Sequence, residues 1–173
     1  MVNSCVVDDL HTIYLGVVKK ITQCFVDMQV FGKYQVFDLI DEEISQNKGI
    51  HEISSITGLS MLADWKGKEL MSWLLYHGVP FLNEYADKKF THSFTHLSNC
   101  IYILSLPVIH EHQYDISQAE LNMFMQNFGE LYGDQLKGPN YHELCHLLNS
   151  VKMTGPLFVN STFNFERLNF DLR

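Results

Sequence analysis

The chain has 173 residues, 46% of them apolar, with 20 acidic against 12 basic side chains and a formal charge of −8. That length and apolar content suffice for one buried core and exclude a disordered or fibrous chain. The acidic balance excludes a surface that meets nucleic acid throughout, because phosphate binding shows as a basic excess; any nucleic acid has to be met by a local patch.

In chain order, "SCVVDDLH" reads as the end of a short buried strand that runs into acids and then a helix, with no earlier strand to pair with. From Leu10 to about Met28, apolar residues at Leu10, Ile13, Tyr14, Val17, Val18, Ile21, Phe25 and Met28 predict a long amphipathic helix. "DEEISQNKG" predicts a short helix stopping at Gly49, and the loop over 47–55 reads as part of one domain. A second long helix is expected from Ser60 to His77, closed by Gly78 and Pro80, with Trp65, Leu70, Trp73, Leu74 and Tyr76 as its bulky apolar face.

"KKFTHSFTHLSNCIYILSLP" predicts a third helix ending before Pro107. A fourth follows in "DISQAELNMFMQNFGELYG", with Asp115 or Ser117 as N-cap and Gly133 as its stop. "GPNYHELCHLLNSVKMTGP" gives a fifth, bracketed by Pro139 and by Gly155-Pro156. The aromatic side chains Trp65, Trp73, Phe124 and Phe128 are expected in the core. A last helix is just beginning when the sequence reaches Arg173, so the chain reads as the middle of something larger. The fold is expected to be mainly helical, without internal repeats.

The four cysteines, Cys5, Cys24, Cys100 and Cys145, have no paired spacing and read as reduced thiols of an intracellular protein. The N-terminus lacks the basic and apolar regions of a signal peptide, and no apolar run reaches membrane-spanning length. The expectation is cytoplasm or nucleus, with no membrane partner.

Several constellations carry chemistry. Asp8, Asp9 and His11 sit at the expected strand-to-helix junction, where carboxylates suit a magnesium or manganese ion; equally, one aspartate simply caps the helix. His142 and His146 lie one turn apart, as do His92 and His96, and "HELCH" satisfies the zinc-hydrolase pattern with Glu143 as general base. That pattern needs a third ligand downstream, for which Glu166 is the candidate; otherwise the histidines are partly buried and hydrogen-bonded. Lys66, Lys68, Lys88 and Lys89 form a candidate basic rim for DNA, or ordinary solvated surface.

In order along the chain, "VVDDLHTIYLGVVKKI", "WKGKELMSWLLYHGVPFL" and "FGELYGDQLKGPNYHELCHLLNSVKMTGPLFVNSTFNFERLN" resemble segments of CACTA (En/Spm-like) transposases. These are an Asp-x-x-His motif before a Leu-Gly-Val helix, a helical segment with a Leu-Leu-Tyr-x-Gly run, and a distal segment. The distal segment reads Leu-Tyr-Gly, Asn-x-His with a second histidine one turn on, Gly-Pro-Leu and Phe-x-Phe-Glu. The resemblance covers nearly the whole chain.

It implies an RNase H-like DDE transposase core interrupted by a helical insertion. On this chain, 1–11 would be the end of a core strand with the Asp-x-x-His motif, 12–154 the helical insertion, and 155–173 the start of the closing core helix. Asp8 and His11 would be the motif residues, and Glu166 the closing acid of the triad, held by Phe163 and Phe165. Asp8, either a triad member or a supporting acid, would share with Glu166 the binding of Mg2+ or Mn2+ in the intact enzyme. His142, His146, Trp65 and Glu69 would be scaffold, and Glu143 incidental.

The implied partners are transposon-end DNA, a catalytic-core segment preceding this one, and further copies of the chain in a homo-oligomer, in the nucleus. The family carries further acids before the Asp-x-x-His segment, so at least one triad carboxylate is expected to be absent and the isolated chain inactive. A domesticated, non-catalytic module contacting protein or DNA is the alternative.

Overall fold

A computed structural model describes residues 6–28, 30–31, 41–42 and 56–163. These residues are mainly helical, with no strand among them, as the apolar periodicity predicted. Val6 to Asp8 are not paired in a sheet: the buried amide of Val7 donates instead to Ser150 Oγ, 2.9 Å away on the last long helix. Residues 1–5, most of the short helix expected around 41–49, and the 47–55 loop lie outside the described residues, as do 164–173.

Helix α1 begins at the aspartates, with a π-wound stretch Asp9–Val18 continuing into the α-helix Lys19–Asp27. Its wide turn is visible in the bond from the Lys19 amide to the Tyr14 carbonyl. The expected amphipathic helix is here a central one. Leu10, Ile13, Tyr14, Val17 and Val18 are buried, and so are Thr12 and Gly16 on what would be the polar side. Before Lys19 the outward stripe is limited to the exposed His11 and the half-buried Leu15, and it widens beyond that residue.

The expected single helix over Ser60–His77 is two elements. A 3-10 turn, Leu59–Asp64, is capped by Asp41, whose carboxylate accepts from the Leu59 amide and the Ser60 hydroxyl at 2.6 Å each. The chain then straightens at Trp65, whose indole N–H donates to the Thr57 carbonyl at 3.0 Å. Helix α2 follows as Gly67–Ser72, a π turn Trp73–His77, and Gly78–Tyr85. It does not stop at Gly78 and Pro80.

The π turn explains the passage: Gly78 N–H bonds to the Trp73 carbonyl, and this widening precedes the proline, which has no N–H to give and would crowd the preceding turn. Gly78 is glycine for a different reason from stopping a helix. A Cβ there would lie 2.5 Å from the Phe94 ring and 2.9 Å from the Trp73 carbonyl oxygen. Tyr76, expected on the apolar face, is 49% exposed because the wider turn rotates it outward.

Helix α3, Lys88–Leu104, starts on an Asp87 cap, and α4, Glu111–Tyr132, packs back against it. Helix α4 starts a turn earlier than expected. Its cap is His110, paired with Gln113, which accepts from the His110 amide at 2.8 Å; neither Asp115 nor Ser117 caps it. It ends at Gly133 as expected. Helix α5 runs as Pro139–Glu143, a 3-10 turn Leu144–His146, and Leu147–Thr154.

These helices meet in an aromatic core. The Phe25 ring of α1 faces Phe31, Phe90, Phe94 and Tyr132, with centroids 5.8–6.1 Å apart, mostly edge to face. Trp65, Trp73, Phe124 and Phe128 are all buried, as expected. Tyr132 satisfies its hydroxyl on Ser93 Oγ at 3.0 Å, which binds α4 to α3. Among the described residues no helix is long and apolar enough to cross a membrane.

Gly155 closes α5 at φ 94° and ψ −174°, a region open essentially to glycine alone, while a Cβ there would touch only Val159 at 3.6 Å. The cost of a side chain is therefore conformational and not steric. Gly155→Ala is expected to destabilise the chain by about 1–3 kcal/mol, read from the midpoint of urea unfolding at unchanged slope. An unchanged midpoint would refute this backbone argument.

Candidate functional site

Asp8 stands in extended conformation as the N-cap of α1, and Asp9 is the first helical residue. Both carboxylates reach for the same donor. The Leu10 amide lies 2.8 Å from Asp9 Oδ1 and 3.3 Å from Asp8 Oδ1, so Asp9 holds the stronger share of the cap. Asp8 is compensated from elsewhere. The Thr162 hydroxyl lies 3.0 Å from each of its oxygens, the Thr162 amide donates to Oδ1 at 3.3 Å, and His11 Nδ1 is 2.5 Å from Oδ2.

The two neighbouring acids consequently differ in charge preference. Partial burial works against ionisation of Asp8, but hydrogen bonds from His11 and Thr162 outweigh it and hold its pKa below the usual 3.8. Asp9 is buried, and that burial pushes its pKa above 3.8, against the opposing hydrogen bonds from Ser161 and the Leu10 amide. Consecutive residues of the 155–163 segment thus serve consecutive aspartates: Ser161 serves Asp9, and Thr162 serves Asp8.

Of the residues singled out in sequence, Asp8 and His11 are brought together. Glu166, the expected closing acid, lies outside the described residues. Phe163, expected to hold that last segment, packs its ring 5.7 Å from Tyr14 of α1. Thr12, Ser161 and Thr162 are the residues sequence reasoning missed. A hydroxyl side chain leaves no periodic signal, and their partners lie 131 to 154 residues away for Thr12 and Thr162.

Of the "HELCH" residues, His142 and His146 are exposed, with ring centroids 5.6 Å apart, His146 ending the 3-10 turn; the third ligand expected with them, Glu166, lies outside the described residues. Glu143 accepts a hydrogen bond from the buried Thr12 hydroxyl at 2.5 Å, joining α5 to α1. In the other histidine pair, His96 bonds to Glu120 at 2.7 Å and His92 is exposed.

Lys66 and Lys68 are exposed at the start of α2, and Lys88 and Lys89 at the start of α3, where Lys89 Nζ lies 5.2 Å over the Phe90 ring. Glu69 closes the start of α2 by accepting from the Lys66 amide at 2.9 Å, and Trp65 is core, so both act as scaffold here. Cys24, Cys100 and Cys145 are free thiols, and burial pushes Cys100 up to about 12.

Among the described residues, no group of three or more His, Cys, Asp or Glu side chains is arranged to hold a metal ion. Asp8 offers one ionised carboxylate at the surface, while Asp9 is turned inward. By themselves the described residues do not make a magnesium or manganese site, which requires several oxygen ligands converging. No protein-family model, curated protein or solved structure matches the chain.

The aspartates give opposite pH signatures. Asp8, with a depressed folded pKa, contributes stability that is present above 3.8 and is lost as pH falls through its folded value. Asp8→Asn is therefore expected to be less stable than the parent at neutral pH, with the gap closing in acid. Asp9, with a raised folded pKa, contributes stability present below 3.8 and lost as pH rises through its folded value. Asp9→Asn should gain on the parent as pH rises. Urea midpoints measured from acid to neutral pH check both, and parallel curves for the two variants would contradict this assignment. Removing the Asp8 carboxylate, as in Asp8→Ala, is expected to cost about 1 kcal/mol at neutral pH, with Asp9 still holding the Leu10 amide.

Proposed function

We propose that this chain is the segment of a CACTA-type DDE transposase that carries the Asp-x-x-His motif, a helical insertion and the closing acid. In the intact enzyme the reaction is cleavage and transfer of DNA strands at transposon ends, in the nucleus. The observation that supports this reading is the hydrogen bonding of Asp8 with Thr162 across 154 residues of sequence. It ties the Asp-x-x-His motif to the segment running toward Glu166, as a site assembled from both ends of an insertion requires.

Each group here has a physical task in that reading. Asp8 is held ionised by His11 and Thr162, so it is acceptor-only, as a ligand to a hard cation must be. His11 is exposed and its Nδ1 is aligned by Asp8, and in this reading it is a contact for the DNA end. Divalent Mg2+ or Mn2+ would supply the activation of water or a 3′-hydroxyl, with Asp8 and Glu166 as the ligands from this chain and further carboxylates from the preceding core segment. Lys66, Lys68, Lys88 and Lys89 are the exposed cations proposed to meet flanking DNA.

The test uses the full-length protein with labelled DNA bearing the element's own terminal repeats and Mg2+ or Mn2+. Metal-dependent strand cleavage is expected, and Asp8→Asn or Glu166→Gln should each reduce it by roughly 100-fold or more, since losing a ligand costs more than losing its supporting partner. Glu143→Gln should leave cleavage essentially intact, because its carboxylate serves Thr12. Undiminished cleavage by Asp8→Asn and Glu166→Gln, or loss confined to Glu143→Gln, would end this reading in favour of another hydrolytic site.

A further inference from the structure

Asp8 is the weaker claimant on the Leu10 amide, so its orientation depends on other donors. His11 Nδ1 supplies the shortest contact, and Thr162 reaches both oxygens. Its amide addresses Oδ1, and its hydroxyl sits 3.0 Å from both oxygens and 3.4 Å from His11 Nδ1, in the middle of the Asp8–His11 pair. The hydroxyl touches both carboxylate oxygens and the imidazole edge at once, so it ties the position of the carboxylate to the side from which the imidazole approaches. The backbone amide adds a bond to Oδ1 alone.

Thr162 is itself held in place. Ser161 before it bonds to the buried Asp9 and also receives the Phe163 amide at 3.3 Å, while Phe163 after it packs on Tyr14 and lies against Gly67 of α2. A Cβ at Gly67 would meet the Phe163 ring at 2.8 Å, so the glycine admits that ring. The hydroxyl therefore comes from a segment anchored on both sides, as a group that orients another residue must be.

We propose that Thr162 is a positioning residue, which acts through Asp8 and His11 and presents the carboxylate in one fixed orientation. The proposal rests on the transposase reading for the reaction it serves, but its geometric content is independent of it.

Two variants separate the hydroxyl from bulk: Thr162→Val keeps the shape and the amide but removes the hydroxyl, and Thr162→Ser keeps the hydroxyl. In the chain itself, NMR of the Asp8 carboxyl carbon and the His11 ring is expected to show both signals displaced in Thr162→Val and parent-like in Thr162→Ser. In the full-length enzyme, Thr162→Val should lower cleavage roughly 10–100-fold and raise the Mn2+ concentration needed for half-maximal rate, while Thr162→Ser stays within about 2-fold.

The outcomes are separable. If Asp8→Asn leaves cleavage intact, the transposase reading of the site fails, and the NMR comparison alone decides the orientation claim. If Asp8→Asn abolishes cleavage while Thr162→Val retains the parent's rate and metal dependence, the positioning role is overturned and the reading stands. Unmoved Asp8 and His11 signals in Thr162→Val overturn it as well. Equal loss in the Val and Ser variants with a general collapse of the spectrum would show a merely structural threonine, and overturns it too.

Discussion

Everything in this fold is arranged around a helix whose first half is buried on all sides but the stripe that carries His11 and Leu15. The first half of α1 presents Leu10, Ile13, Tyr14, Val17 and Val18 to its neighbours, all nearly free of solvent contact. Each such side chain contributes about 1.5–3 kcal/mol by burial, so this segment nucleates the core around it. The usual outward face of a surface helix is filled by small or satisfiable residues: Gly16 lies against the Asn140 side chain, and Thr12 gives its hydroxyl to Glu143. Neither leaves an uncompensated polar group inside, which is the condition for burying that face.

Burying so much of α1 places demands on the helices that wrap it. Helix α2 must follow it closely, and Gly67 lets Leu10 and Phe163 approach where any side chain would collide. The same helix has to carry Trp73 onto Trp65 and Phe81 while continuing through Pro80, which the π turn permits by moving the mismatch ahead of the proline. Helices α3 and α4 then close the far side through Phe94, Phe124, Phe128 and Tyr132 around Phe25. Among the described residues, Trp73 Nε1 and Ser117 Oγ are buried without a hydrogen-bond partner, Trp73 with its ring against Trp65, Phe81 and Phe94.

What could be seen in the sequence follows from how local each determinant is. The ends of α4 and α5 were legible because Gly133 and Gly155 sit at positive φ and Pro139 at a first turn, and those are single-residue requirements. The existence of α1 was legible from spacing, but the burial of Thr12 and Gly16 was not, because that depends on Asn140 and Glu143 more than a hundred residues on. The break at Trp65 was hidden because a side-chain bond to the backbone eight residues earlier, at Thr57, leaves no periodic signal. In the candidate site, Asp8 and His11 announced themselves as an acid and a base at a helix start, whereas the hydroxyls that complete the cluster carry no pattern.

The pair of aspartates shows how one local competition sets apart two chemically identical groups. A helix start offers a limited number of free amides, and here the Leu10 amide is nearer Asp9. Asp9 gains that bond together with burial, which favours its neutral form; Asp8 loses the contest and stays at the surface, where Thr162 and His11 stabilise its charge. Two like charges side by side would oppose each other, and the division lets one of them relax toward the neutral form. Exchanging the two roles would need Ser161 and Thr162 to exchange theirs. The residue at which an anion is available at the helix start is therefore decided by the far end of the chain and not by the "DDLH" motif alone.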